Sequence, residues 1–173
     1  MELSEAIYGR RSVRSYLPEE VPREVLDTLI DAGRWAPSAG CAQPWAFVVV
    51  DEPERIKRLK SIAPGMFSEP AFVIAVCADR QAAVQRMGPQ GEILALMDVC
   101  MAAQNISLAA HAAGLGTCII RSFHQKAAAV LLGCPDGVVP ELLIAGGRAD
   151  RIPRAPNRRA LDQIRHFNRW GQK

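Results

Sequence analysis

The 173-residue sequence contains no C-x-x-C pair, and its five cysteines (Cys41, Cys77, Cys100, Cys118 and Cys134) are odd in number and widely scattered. Zinc ribbons and dithiol motifs are thereby excluded, and reduced thiols are expected. The three histidines, His111, His124 and His166, lack the spacing of metal ligands, so no metal is expected. Aromatic residues make up only 6%, and no helix-turn-helix, zinc-finger or base-stacking signature accompanies the arginines, which argues against nucleic acid. There is no G-x-S-x-G elbow, no P-loop and no complete G-x-G-x-x-G. Gly114-Leu115-Gly116 lacks the third glycine and precedes a strand, so it reads as a helix stop. No basic stretch leads into an apolar run near Met1, so no signal peptide is expected and a cytoplasmic location is predicted. The longest uncharged run, Val99 to Ile120, carries Gln104, Asn105, Ser107 and His111. Hydrocarbon would leave these groups unsatisfied, so the run is read as a buried helix and no membrane partner is expected.

What is present fits one domain spanning residues 1–173. A 49% hydrophobic, 23% charged chain of net charge +3 is long enough to bury a substantial core. Apolar runs bounded by turn residues predict strands at Trp45–Val50, Ala71–Cys77, Gly116–Ile120 and Val138–Ala145. Helical periodicity is found over Glu2–Tyr8, Pro22–Gly33, Pro53–Ile62, Glu92–Ala113 and Gln125–Leu132. Asp79–Glu92 reads as a polar connection. Arg148–Asn157, with Pro153 and Pro156, reads as an extended arm, and Arg158–Trp170 as a closing amphipathic helix with Leu161, Ile164, Phe167 and Trp170 at spacings of three. The alternation predicts an α/β or α+β class.

With the usual catalytic signatures missing, a bound cofactor is expected to carry any hard chemistry. Two segments could hold one. Arg10-Arg11-Ser12-Val13-Arg14 concentrates three guanidinium forks and a hydroxyl, the donor set for bidentate phosphate recognition. Ala36-Pro37-Ser38-Ala39-Gly40-Cys41-Ala42-Gln43-Pro44-Trp45 is a turn of small residues, where a flat ring could approach the backbone and Gln43 could bond its polar edge. Seven arginines also fall within the last 26 residues.

In order and wording these segments resemble the FMN-dependent nitroreductase family. The likeness starts at Arg10–Arg14 and is close at Trp35-Ala36-Pro37-Ser38-Ala39 and Gln43-Pro44-Trp45. It continues through Ala103-Gln104-Asn105, Gly114–Thr117, Leu131–Gly133 and Arg158-Arg159-x-Leu161-Asp162. It implies an α+β fold, a three-layer α-β-α sandwich around a mostly antiparallel mixed sheet. It also implies FMN as cofactor, NAD(P)H as reductant, a small-molecule electron acceptor, and a homodimer with 148–173 embracing the partner. Carried over residue by residue, Arg10, Ser12 and Arg158 would grip the phosphate, with Arg11 and Arg159 as weaker candidates. Arg14 would face the pyrimidine edge of the flavin as an electrostatic stabiliser. Pro37, Ser38 and Ala39 would line the ring and ribityl chain, Gln43 would touch the ring, and backbone at Arg121 and Ser122 would reach N5 and O4. No side-chain nucleophile is required. Cys41 stands where the family usually has asparagine, so a weak thiol bond replaces a strong amide one. A flavin- or nucleotide-binding sensor without turnover, reductive dehalogenation, and flavin fragmentation are the alternatives on the same fold.

Overall fold

The structure is a computed structural model and describes residues 1–173. Four strands, β1 (Trp45–Val50), β2 (Phe72–Asp79), β3 (Gly116–Ile120) and β4 (Val138–Gly147), form one sheet in the order β1-β2-β4-β3. Each neighbouring pair is antiparallel. The one parallel pairing is an isolated bridge between Ser12 and Thr117, outside the strands proper. The central strands are the most continuously apolar, as burial on both faces requires, and β2 is buried from Phe72 to Ala78.

Because strand side chains alternate, the sheet feeds two separate cores. On one face Phe72, Ile74, Val76, Leu142 and Ile144 meet α2 (Arg23–Arg34), α4 (Arg80–Met87) and α5 (Gly91–Ala112) through Leu26, Leu29, Ala83, Val99, Ala103 and Ile106. On the other, Val73, Ala75, Cys77, Leu143 and Ala145 meet α3 (Pro53–Ser61) and α6 (Gln125–Leu132) through Ile56, Leu59 and Ala128. The result is the three-layer α-β-α, α+β architecture. The apolar length of α5 would suffice to cross a membrane, but Ala95, Val99, Ala102, Ala103, Ile106 and Ala110 lie wholly buried inside the domain.

Two elements depart from expectation. The stretch after Asp79 is helical, not a polar connection: Asp79 Oδ1 accepts from Ala82 N at 2.8 Å and starts α4. Its polar residues hid this, because the helix buries little beyond Ala83. Conversely, the expected helix Arg158–Trp170 shrinks to one turn, α7 (Leu161–Ile164). Leu161, Ile164, Phe167 and Trp170 are all more than half exposed. A short helix is marginal in water unless its apolar side is covered. Within this chain nothing covers it: the hydrogen bonds of the arm beyond Asp150 all close on the arm itself.

Candidate functional site

The arginine segment follows α1 (Leu3–Gly9), which ends as Arg10 N bonds Ala6 O. Glycines let the chain pass closely here. A Cβ on Gly9 would lie 2.8 Å from His111 Nε2 on α5, and one on Gly116 would lie 2.6–2.8 Å from the Val13 side chain. Val13 N donates to Thr117 O at 2.9 Å, and Leu17 N to Arg148 O, so residues 12–17 are laid along β3 and the end of β4. Tyr16 fastens this layer. Its buried hydroxyl donates toward Val13 O at 2.7 Å and Ala145 O at 3.0 Å, and burial pushes the phenol well above the ordinary tyrosine pKa.

On this pinned backbone the Arg10 guanidinium makes no hydrogen bond or ion pair within the chain. Arg14 donates to Ser12 O, at 3.2 Å. Burial raises the Cys118 pKa, and the Arg14 and Arg10 guanidiniums pull it partly back. Arg11 behaves differently: it turns back to cap α1, donating to Tyr8 O, Gly9 O and Arg10 O at 2.6–2.9 Å. All three bonds come from Nη1 of Arg11.

The loop after α3 ties this segment to Arg121 and Ser122. Ser68 Oγ donates to Arg14 O at 2.8 Å, and Gly65 N donates to Ser122 O at 3.4 Å. Gly65 also passes so near Ser122 Oγ that a Cβ there would collide with it. Arg121 lies 4.0 Å from Glu141 Oε2. Glu141 is fully buried, also receives Arg80 at 2.6 Å and Gln125 Nε2 at 2.9 Å, and falls where the β2–β4 register slips between Val76 and Cys77. Such bulges re-aim a side chain, here a carboxylate beneath the 121–125 loop.

The turn at 37–43 lies elsewhere. Ala39 N donates to both carboxylate oxygens of Asp98 on α5, at 3.1 and 3.2 Å. Gln43 N donates to Ser38 Oγ at 3.0 Å, and Gln43 Nε2 donates to Cys41 Sγ at 3.3 Å. Gly40, Cys41 and Gln43 all hold positive φ, at 53°, 53° and 50°. Side-chain-bearing residues enter that region at a cost, and such strain concentrates at functional sites.

The expected site residues thus form two groups. Arg10, Ser12 and Arg14, with Arg121 and Ser122, converge around β3, while Pro37, Ser38, Ala39, Cys41 and Gln43 do not join them. Arg10 follows the glycine that abuts His111, whereas Ala39 is bonded to Asp98, 13 residues earlier on α5; at 1.5 Å per residue that is roughly 20 Å along the helix. Arg158 and Arg159 join neither group. Arg158 has no partner within the chain, and Arg159 bonds Gln163 O at 3.0 Å inside the arm.

Asp98 and Glu141 escaped the sequence reading, although each carries a signal. Asp98 is the acid in line with Ala95, Val99 and Ala102 on the core side of α5, and Glu141 interrupts an apolar strand. A charge on a buried stripe asks for a partner.

The donor set suits FMN: two guanidiniums without carboxylate partners on a rigid segment can take a phosphomonoester and a polar ring edge, and a glycine-containing turn leaves backbone open to a flat ring. With the three-layer sheet, this defines an FMN-dependent oxidoreductase that takes reducing equivalents from NAD(P)H. The chain belongs to the nitroreductase family, whose model matches residues 7–71 and 58–148. A Methanothermobacter thermautotrophicus protein named for NADH dehydrogenase/NAD(P)H nitroreductase is 31% identical, the match covering 98% of this chain and 88% of that one. An FMN-dependent nitroreductase structure from Clostridium difficile R20291 superposes with a TM-score of 0.83 at 27% identity, covering 97% of this chain and all of the other. A pig iodotyrosine deiodinase is 44% identical over 61 residues, 35% of this chain and 21% of its own length.

Proposed function

We propose that two copies of this chain form a homodimer with FMN held between them, and that the enzyme reduces electrophilic small molecules such as nitroaromatics, quinones or enones. Bound FMN supplies a hydride acceptor that NAD(P)H fills and the second substrate empties, in a ping-pong cycle. Arg10 and Ser12 hold the phosphate, joined by Arg158 and Arg159 from the arm. Arg14 stabilises the negative charge that accumulates on the pyrimidine edge, and a fixed guanidinium needs no reorganisation to do so. Pro37, Ser38, Ala39, Cys41 and Gln43 come from the partner and line the ring, opposite Arg121 and Ser122. No side chain acts as a nucleophile.

The observation that carries this reading is the pair of guanidiniums without carboxylate partners, Arg10 and Arg14, on a segment locked to β3. The dimer is supported by the α5 surface, where Ile93, Leu96, Met97 and Met101 are exposed in one stripe, and by the uncovered apolar side of the arm. Five free thiols support a reducing, cytoplasmic setting.

Anaerobic mixing of FMN-loaded protein with NADH or NADPH is expected to bleach the flavin colour, and lasting colour would leave a sensor without turnover. Arg10→Ala should weaken FMN binding by about 2 kcal/mol, roughly thirtyfold, as loss of a charge-assisted bond does. Arg14→Ala should slow reduction more than it weakens retention. Similar behaviour of the two variants would contradict the division of roles. The deiodinase likeness favours one further reading, reductive dehalogenation, and turnover of a halophenol in place of nitroaromatics and quinones would establish it.

A further inference from the structure

The turn at 38–43 is gripped from two helices. Asp98 of α5 takes the Ala39 N–H with both oxygens, and Arg86 of α4 donates to Gly40 O at 3.2 Å. Between these ties the backbone is held left-handed at Gly40 and Cys41 and again at Gln43. Asp98 is only 1% exposed, and the Ala39 amide is its sole hydrogen-bond donor within the chain. A buried carboxylate without a cation is costly, and an alanine would fill a helix core position at less expense of desolvation. Neither the charge nor the strained turn is explained by packing.

We infer that Asp98, backed by Arg86, is a positioning residue for FMN: it clamps the 38–43 turn in the left-handed form that opens its backbone to the flavin, without touching the cofactor itself. This rests on the assignment of that turn to FMN. The mechanism is preorganisation, in which the fold bears the cost of ordering the turn before the ligand arrives. Burial raises the Asp98 pKa, in accord with a carboxylate kept in a place that disfavours its charge.

Amide hydrogen exchange and FMN titration of the full-length protein test this together. In the wild type, FMN should slow exchange at residues 39–43. Asp98→Ala should speed exchange at the Ala39 amide in the apoprotein and raise the FMN dissociation constant roughly tenfold, the loss expected for one charge-assisted bond. Asp98→Asn, whose amide oxygen can still accept from Ala39, should keep the apoprotein melting temperature and raise the dissociation constant by about threefold. Arg86→Met leaves the carboxylate in place and should give a rise no larger than that. Faster Ala39 exchange with unchanged FMN affinity in both Asp98 variants would overturn the clamp alone. An absence of FMN protection at 39–43 in the wild type would overturn the placement of the turn, and the clamp with it.

Discussion

Cys41 combines two disadvantages: its φ of 53° belongs to the region asparagine enters more readily than other side chains, and its thiol is a weak partner for Gln43 Nε2. Cys41→Asn is therefore expected to stabilise the apoprotein by about 1 kcal/mol and to tighten FMN binding, measured by thermal unfolding and FMN titration. Tyr16 gives a pH dependence. Its folded pKa is raised by burial, so the folded protein keeps a proton that the unfolded chain releases. That contribution is complete below the unfolded pKa and is lost as pH rises above about 10. Tyr16→Phe should flatten the alkaline limb of the stability profile while lowering stability at neutral pH by about 1–3 kcal/mol, because Val13 O and Ala145 O lose their donor. An unchanged alkaline limb would contradict the sign. At this scale the arginine run and the Pro-Ser-Ala turn were legible as motifs. Asp98 and Glu141 were not, since their roles depend on which way a helix and a bulged strand turn them.

Among the elements, the strands announced themselves because a buried strand must be apolar almost throughout, and β1 and β3 begin and end where the composition says. Helix α4 did not, since helices are read from an apolar stripe and α4 has little of one. The closing helix was overread for the opposite reason: its stripe is real, but nothing within this chain covers it. Strand β4 carries the most demanding feature, the fully buried Glu141 shared by Arg80, Gln125 and the more distant Arg121. Glu141→Ala should cost roughly 1–3 kcal/mol, since Arg80 and Gln125 lose their shared acceptor while Arg80 still reaches water and Gln125 Nε2 keeps Pro140 O. Glu141→Gln, which keeps an acceptor for Arg80, should cost less. Chemical denaturation measures both, and equal costs would show that charge, not hydrogen bonding, is what the bulge secures.

For the whole molecule, the fold class followed from the alternation of elements and from family likeness, but the geometry of the site did not. A linear sequence places Pro37–Gln43 23 residues after Arg10–Arg14. The folded chain separates them along α5, and leaves the arm with Arg158 and Arg159 unattached to its own domain. Sharing each site between two copies, as proposed, would bring all of them together. A mixed dimer tests this most directly: one subunit carries Arg10→Ala with Arg14→Ala, the other carries Ala39→Trp, and the pair is purified on two different tags. In a shared arrangement both lesions fall in one site and the other is intact, so FMN titration should find one tight site per mixed dimer and none in either parent homodimer. If each subunit builds its own site, both sites of the mixed dimer are damaged, and no tight FMN binding would be found.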